Sequence, residues 1–386
     1  MFSFPTISTD QKHLDIKTTV NLGSYYTPSN LVNIVYKMLV QSVFDFEKYT
    51  ILDSSCGYGS FLQENFINRF IGVDIDKQAI AEAKNQRENI EFFCKNSLEN
   101  LSRKALSIKS DERLIIVGNP PYNDRTSIIR NHMKKISTPI DSDLKTRDLG
   151  MSFLLSYEKL QADYVCVLHP LSYLIKKSNF SLLSKFAKNY KLIDGVIFNS
   201  QEFSGTSKVS AFPILIGLYQ RDHIGMNCEF IECFEFKIKD GGTFRLNDFD
   251  TIKNYIHKYP NKKYLKETDE PIAKFYTLRD INALKRNRTF IDYHSNNAVY
   301  VCKDKFPYYC YIDIFKRYIH KLPYFLGNCD VIIDNEKFQK IQEYFVEESI
   351  RTHPVLKNHF KPRGIPNAKI KIESYFEELF AKIYSS

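Results

Sequence analysis

Ile51-Leu52-Asp53-Ser54-Ser55-Cys56-Gly57-Tyr58-Gly59-Ser60-Phe61-Leu62 reads as a strand, a glycine-bearing turn and a helix start. Glycine has no Cβ and tolerates positive φ, so such a turn lets the backbone approach a ligand closely. Further on, Phe70-Ile71-Gly72-Val73-Asp74-Ile75-Asp76 ends a second strand in an acid, where a carboxylate can accept bonds from both hydroxyls of a ribose. The turn is not GxGxxG and no Walker lysine follows it. A phosphate-free adenosyl ligand therefore fits better than a dinucleotide or a nucleoside triphosphate. An acid with aromatic neighbours suits a sulfonium cation, whereas a pyrophosphate would want exposed amides and basic side chains. Taken alone, the segment is also compatible with a purely structural glycine turn in an α/β protein.

Outward from this turn, short apolar runs alternate with helical patterns between residues 29 and 220, the rhythm of a parallel sheet with crossover helices. Strands are expected at Thr50–Asp53, Phe70–Asp74, Ile90–Cys94, Leu114–Gly118, Tyr164–Leu168, Leu192–Phe198 and Val209–Tyr219. Helices are expected at Ser29–Val40, Ser60–Phe66, Lys77–Asn85 and Met151–Leu160, where apolar residues recur at three- and four-residue spacing. After Tyr219 the rhythm breaks. A hairpin is expected over Cys228–Leu246, turning at Asp240-Gly241-Gly242, then a Lys- and Tyr-rich region and a closing amphipathic segment at Ile370–Tyr384. The 386 residues suit two cores, and the change of rhythm divides them into residues 1–225 and 226–386.

The formal net charge of +9 favours a polyanionic partner, with nucleic acid first among them. The eight cysteines show no CxxC pair and no zinc-type Cys/His cluster, which implies reduced thiols and no metal. No run is long and apolar enough to span a membrane, and the N-terminal residues lack a secretory pattern, which implies a cytoplasmic protein without a membrane partner.

Residues 51–62 resemble the DPACGxGxFL motif of N6-adenine DNA methyltransferases, with Ser54 and Ser55 in place of Pro and Ala. Gly23-Ser24-Tyr25-Tyr26-Thr27-Pro28 resembles that family's GxxYTP segment, although it also reads as a plain helix start with Thr27 as cap and Pro28 in the first turn. Cys94-Lys95-Asn96-Ser97-Leu98 occupies the place of the third motif, with Asn96 where an acid usually accepts a bond from the cofactor's adenine amine. Leu114-Ile115-Ile116-Val117-Gly118 reads as a buried central strand that delivers Asn119-Pro120-Pro121-Tyr122 at its carboxyl end. Glu202-Phe203-Ser204-Gly205-Thr206 onward resembles the eighth motif, Asp148-Leu149-Gly150-Met151 the fifth, and Val165–Leu174 the sixth, within which His169 is taken as structural. The likeness runs from about residue 21 to 220, and the motif order is that of the gamma arrangement.

The resemblance implies a Rossmann-like methyltransferase fold, α/β, with a mostly parallel seven-stranded sheet and helices on both faces, followed by a C-terminal mixed α+β domain. It implies S-adenosylmethionine as cofactor, held by Tyr26, Thr27, Pro28, Asp53, Cys56, Gly57, Gly59, Phe61, Asp74, Ile75, Asn96 and Ser97. In the catalytic tetrapeptide the Asn119 side-chain oxygen and the Pro120 carbonyl would hold the two protons of adenine N6, while Pro121 stiffens the loop and Tyr122 stacks on the base. The methyl donor is already a cation, so no tuned general base is needed. A base in a duplex must first be flipped out. Phe203 is the candidate for its far face, with Phe212 as fallback, although Phe203 also reads as a core residue before a strand.

The C-terminal region would then be a target-recognition domain for double-stranded DNA, and a restriction endonuclease acting on the same site would be a further partner. Basic runs at Lys262, Lys263, Lys266, Lys285, Arg286 and Arg288 lie beside Tyr264, Phe290 and Tyr293, and Arg125, Arg130, Lys134 and Lys135 follow the tetrapeptide. Such runs are also often just solvated faces. Two alternatives stay open: an RNA or protein-glutamine N-methyltransferase, since the tetrapeptide also serves those nitrogens, and a non-catalytic DNA-binding module on the same fold.

Overall fold

A computed structural model of the protein describes residues 27–62, 65–122, 139–203, 211–265 and 270–385. The chain divides into two compact units, the first ending at Gly241 and the second beginning at Gly242.

The first unit is built on β1 (Thr50–Asp53), β2 (Phe70–Asp74), β3 (Glu91–Cys94), β4 (Leu114–Gly118), β5 (Tyr164–Pro170), β6 (Tyr190–Asn199), β7 (Pro213–Arg221) and β8 (Phe236–Ile238). They lie side by side in the order β3-β2-β1-β4-β5-β7-β6-β8. The pairs β1/β2, β1/β4, β2/β3 and β4/β5 are parallel, and β7 runs antiparallel to both β5 and β6. This is the Rossmann-like methyltransferase fold with flanking helices. β1 and β4 are buried along their whole length, as the unbroken apolar runs of central parallel strands require. Strand order reverses between β1 and β4, so their carboxyl ends border the crevice in which open α/β sheets bind ligands. Pairing of Pro170 with Ile214 and of Asn199 with Pro213 brings the end of β6 and the start of β7 to that same edge.

The helix Ser29–Ser42 buries Leu31, Val32, Val35, Tyr36, Met38 and Leu39, an apolar stripe at helical spacing. Its N-cap is Pro28 and not Thr27, and no side chain caps it. Among the described residues of the expected helix Ser60–Phe66 none is helical: Ser60 and Phe61 lie in turns, with the Gly59 N–H donating to the Cys56 carbonyl at 2.7 Å and the Leu62 N–H to that of Gly59 at 3.0 Å. The hairpin expected at Cys228–Leu246 begins instead as a helix, Cys228–Cys233, because the Asn227 side chain caps it by accepting from the Phe230 N–H at 2.8 Å. β8 then pairs with β6, which carries the first unit past the expected boundary at residue 225.

The second unit holds β9 (Thr243–Phe244), an antiparallel pair β10 (Pro271–Tyr276) and β11 (Ala298–Cys302), and the helices Phe306–Tyr318, Asn335–Thr352, Pro354–His359 and Ala368–Ser385. Its core is aromatic. Tyr311 lies within 5.2–5.9 Å of Phe338, Phe345, Tyr375 and Phe376, distances at which edge-to-face and tilted rings gain beyond their area burial. Among the described residues, no helix is long and apolar enough to cross a membrane.

Candidate active site

Four chain segments meet at the carboxyl ends of β1, β2, β3 and β4. At the end of β1, Asp53 is 1% exposed and accepts the Ser55 N–H at 3.1 Å. Burial, with the neighbouring Asp74 carboxylate adding to it, pushes the Asp53 carboxyl up to about 8. The following turn carries Gly57 at φ +49° and Gly59 at φ +78°, left-handed values open to glycine at little cost. A side chain on Gly57 would meet nothing within 4 Å, so the turn faces open space.

At the end of β2, both oxygens of Asp74 are fixed. One accepts the Gly57 N–H at 2.7 Å and the other the Asp76 N–H at 2.9 Å, which joins the two strand ends. Burial raises the Asp74 carboxyl and these two bonds oppose the rise. Asp74 is half-buried and Ile75 is 56% exposed, which sets an apolar side chain beside a carboxylate at the rim of the turn.

Residues 96 and 97 close the third side. The Ser97 hydroxyl donates to the Ser54 carbonyl at 2.6 Å, buried, and so staples the loop after β3 to the β1 turn. The Asn96 side-chain oxygen accepts the Leu98 N–H at 3.0 Å and its amide nitrogen donates to the Pro139 carbonyl at 2.5 Å. Asn96 thus builds a local turn, and one of its two lone pairs is already committed.

At the end of β4, Gly118 has φ +147° and a Cβ there would lie 2.8 Å from Asp53 Oδ1. The strand therefore delivers Asn119 directly beside the end of β1. The Asn119 amide nitrogen donates to the Thr27 hydroxyl at 3.1 Å, which holds the plane and the sense of the amide. Thr27 is 3% exposed. Pro120 is buried, and Pro121 and Tyr122 are half-buried, with Tyr122 packing on the core of the first unit. Gly150 lets the helix Leu149–Lys159 come close: a Cβ there would meet Tyr122 Cβ at 3.1 Å.

Several expected contacts fall elsewhere. Phe61 is 2% exposed and belongs to the core, where its carbonyl accepts the Tyr36 hydroxyl. Cys56 is also buried, its thiol pushed up mainly by burial, so it offers the turn only its backbone. Phe203 is 2% exposed and lies edge-on to Phe198, with ring centroids 5.5 Å apart, the placing of a core residue and not of a stacking wall. Phe212, next to β7, is half-buried on the same core. His169 is fully buried: its Nδ1 faces the Pro170 carbonyl at 3.0 Å, so Nδ1 carries the proton and Nε2 accepts from the Tyr219 hydroxyl at 2.6 Å. Burial lowers that imidazole to about 4, in keeping with a neutral structural role. In the second unit Phe290 is 2% exposed and packs on Phe275, while Tyr264 and Tyr293 are exposed. Tyr26, Arg125, Arg130, Lys134, Lys135, residues 204–210 and Lys266 lie outside the described residues.

Two contacts could not be inferred from sequence pattern. Arg87 is 5% exposed and donates to the Tyr58 carbonyl at 2.8 Å, holding the glycine turn from beneath. Thr27 orients Asn119 from 92 residues away. We expect Thr27→Val, which removes the hydroxyl and keeps the shape, to lower kcat about tenfold by letting the amide turn, while cofactor affinity holds and Thr27→Ser restores the rate. An unchanged kcat in Thr27→Val would show that Asn119 is oriented by other groups.

No protein-family model matches the chain. It is 30% identical over 119 residues to the type II methyltransferase M.CvrRI of Paramecium bursaria Chlorella virus XZ-6E, a match that covers 30% of this chain and 28% of the relative's length. Among solved structures, a Listeria monocytogenes protein described as a class I S-adenosylmethionine-dependent methyltransferase is 15% identical, covering 51% of this chain and 61% of its own, with a TM-score of 0.37. The 23S rRNA methyltransferase ErmE is 11% identical, covering 53% and 72%, with a TM-score of 0.34. The strand order of the sheet, rather than these scores, carries the fold.

Proposed function

We propose that the protein transfers the methyl group of S-adenosylmethionine to the exocyclic N6 of an adenine flipped out of double-stranded DNA. The observation that carries this reading is the seat of Asn119-Pro120-Pro121-Tyr122 at the end of β4, beside the β1 turn, with the Asn119 amide tied to Thr27. The partial relative is a type II methyltransferase, which is consistent with it.

The residues fit that cofactor. Open space over Gly57 admits a ligand against the backbone, Asp74 retains lone pairs for ribose hydroxyls, and exposed Ile75 offers a flat apolar support for an adenine ring. When bound, the cofactor supplies an electrophilic methyl on a sulfonium. The N6 lone pair of adenine is delocalised into its ring, so the nitrogen becomes a useful nucleophile only as its geometry shifts toward tetrahedral. The Asn119 oxygen and the Pro120 carbonyl accept its two N–H bonds and favour that shift, and they do so most strongly as positive charge builds on the nitrogen. Tyr122 stacks on one face of the base. The half-buried Phe212 lines the other face. The second unit serves as the target-recognition domain, and a restriction endonuclease of the same specificity is the expected companion.

Asp53 adds a pH dependence. Near neutrality its buried carboxyl is held mostly protonated in the free protein, and a bound sulfonium favours the ionised form. Cofactor affinity is then expected to rise with pH up to about 8 and to level off above it, with a proton released on binding below that pH. The thioether product, which lacks the sulfonium charge, should show a weaker dependence. Calorimetric titrations of both ligands in buffers of differing ionisation heat measure this, and identical pH profiles would remove the role given to Asp53.

A second reading, methylation of an RNA base, is favoured by the chemistry of the tetrapeptide, whose acceptors hold any planar amino group. Incubation with methyl-labelled cofactor and DNA, RNA or protein in parallel separates the two. Label in DNA is expected, and label only in RNA or protein would replace the reading.

A further inference from the structure

We infer that the exposed segment Lys357–Arg363 of the second unit is a phosphate-contacting surface for nucleic acid, set in shape by the buried carboxylate of Glu347. The inference rests on the nucleic-acid reading above and assigns it a chain segment other than the basic runs near residues 262 and 285.

Residues 349–372 contain six Lys or Arg and no Asp or Glu. Two of the six are neutralised within the unit: Arg351 pairs with Glu348 at 2.5 Å and Lys369 with Glu373 at 3.8 Å. Lys357, Lys361, Arg363 and Lys371 are exposed and enter no ion pair among the described residues. Unpaired like charges repel in the free protein, and a polyanion relieves that repulsion.

The loop that carries them is nevertheless fixed. The helix Pro354–His359 ends where the Phe360 N–H donates to the Leu356 carbonyl at 2.8 Å, and the Phe360 ring packs on Phe306 at 5.1 Å. Glu347, 4% exposed, then accepts the N–H of Arg363 at 2.7 Å and that of Gly364 at 2.9 Å. Gly364 turns at φ +76°, and Pro362 and Pro366 fix φ on either side. Burying a carboxylate is costly unless its oxygens are bonded, and here both are spent on an otherwise exposed loop. Ordering the loop beforehand lowers the entropy lost when it binds. Because Glu347 consumes the Arg363 and Gly364 amides, contact falls to the Lys357, Lys361 and Arg363 side chains, and the planar fork of Arg suits a phosphate. A lipid surface fits less well. In the adjoining helix Ala368–Ser385 the side chains of Ile372, Tyr375, Phe376, Leu379, Phe380 and Ile383 are buried in the unit's own core, and the exposed Ile370 and Tyr384 stand near opposite ends of the helix, fourteen residues apart, so they form no continuous apolar face to insert.

The test uses the full chain and a labelled mixed-sequence DNA duplex titrated at increasing salt. The triple variant Lys357→Ala/Lys361→Ala/Arg363→Ala is expected to bind about tenfold more weakly at low salt, and its slope of log K against log salt to fall by about 2–3. In Glu347→Gln, faster hydrogen exchange at the Arg363 and Gly364 amides and several-fold weaker binding are expected, with all cations retained. A triple variant with unchanged affinity and slope, in a protein that still methylates DNA, overturns this surface and leaves the function standing. Wild-type protein that neither binds nor methylates DNA removes the function and the surface together. Loss of binding to phosphatidylserine vesicles in the triple variant, with DNA binding intact, overturns the surface in favour of a lipid.

Discussion

Asn119→Ala is expected to lower methyl transfer by about a thousandfold, the scale at which a preorganised hydrogen-bonding group at a reacting centre is felt. The lost oxygen is one of two acceptors proposed for the N6 protons, and the Pro120 carbonyl alone cannot hold both. Cofactor binding should be unchanged, because Gly57, Asp74 and Ile75 lie on other segments. Loss of the side-chain bond to Thr27 should cost about 1 kcal/mol of folding stability. Single-turnover rates with saturating cofactor measure the effect. Rapid methylation of adenine by this variant would exclude Asn119 from the chemistry.

Gly118→Ala should have the largest effect on stability. The position has φ +147°, and its Cβ would sit 2.8 Å from Oδ1 and 3.3 Å from Cγ of Asp53. Asp53 is 1% exposed and cannot swing into solvent. Backbone strain of about 1–3 kcal/mol and overpacking of similar size add, against a total stability of about 5–15 kcal/mol for a typical domain. The shift should also push Asn119 out of register and weaken cofactor binding. Gly241→Ala is the control: φ is +111° but nothing lies within 4 Å, so only the backbone term applies. Denaturant titrations that place both variants at the same stability would show that the contact between β1 and β4 is looser than described.

The strands that position the site are plain in the sequence because each is a short apolar run closed by an acid or glycine: Thr50–Asp53, Phe70–Asp74 and Leu114–Gly118 occur with those bounds. Local pattern misleads where two structures share it. Phe61, Leu62 and Phe66 have helical spacing, yet the positive φ of Gly57 and Gly59 leads the chain into turns. An aromatic after a strand looks the same whether it walls a site or fills a core, and Phe203 fills the core. The hairpin reading missed a capping residue, Asn227, that the sequence did offer. Polar contacts between distant segments leave no periodic trace at all. Thr27 with Asn119, Arg87 with Tyr58 and Glu347 with the Arg363 loop become visible only when the chain is folded.

The proposed activity is methyl transfer to adenine N6 in DNA. Its most direct test is mass spectrometry of the nucleosides from duplex DNA incubated with the protein and cofactor carrying a deuterated methyl group. Deuteromethyl label in N6-methyldeoxyadenosine, absent with Asn119→Ala, is the predicted result. Label on cytosine, or none in DNA under conditions where RNA or protein becomes labelled, would contradict it.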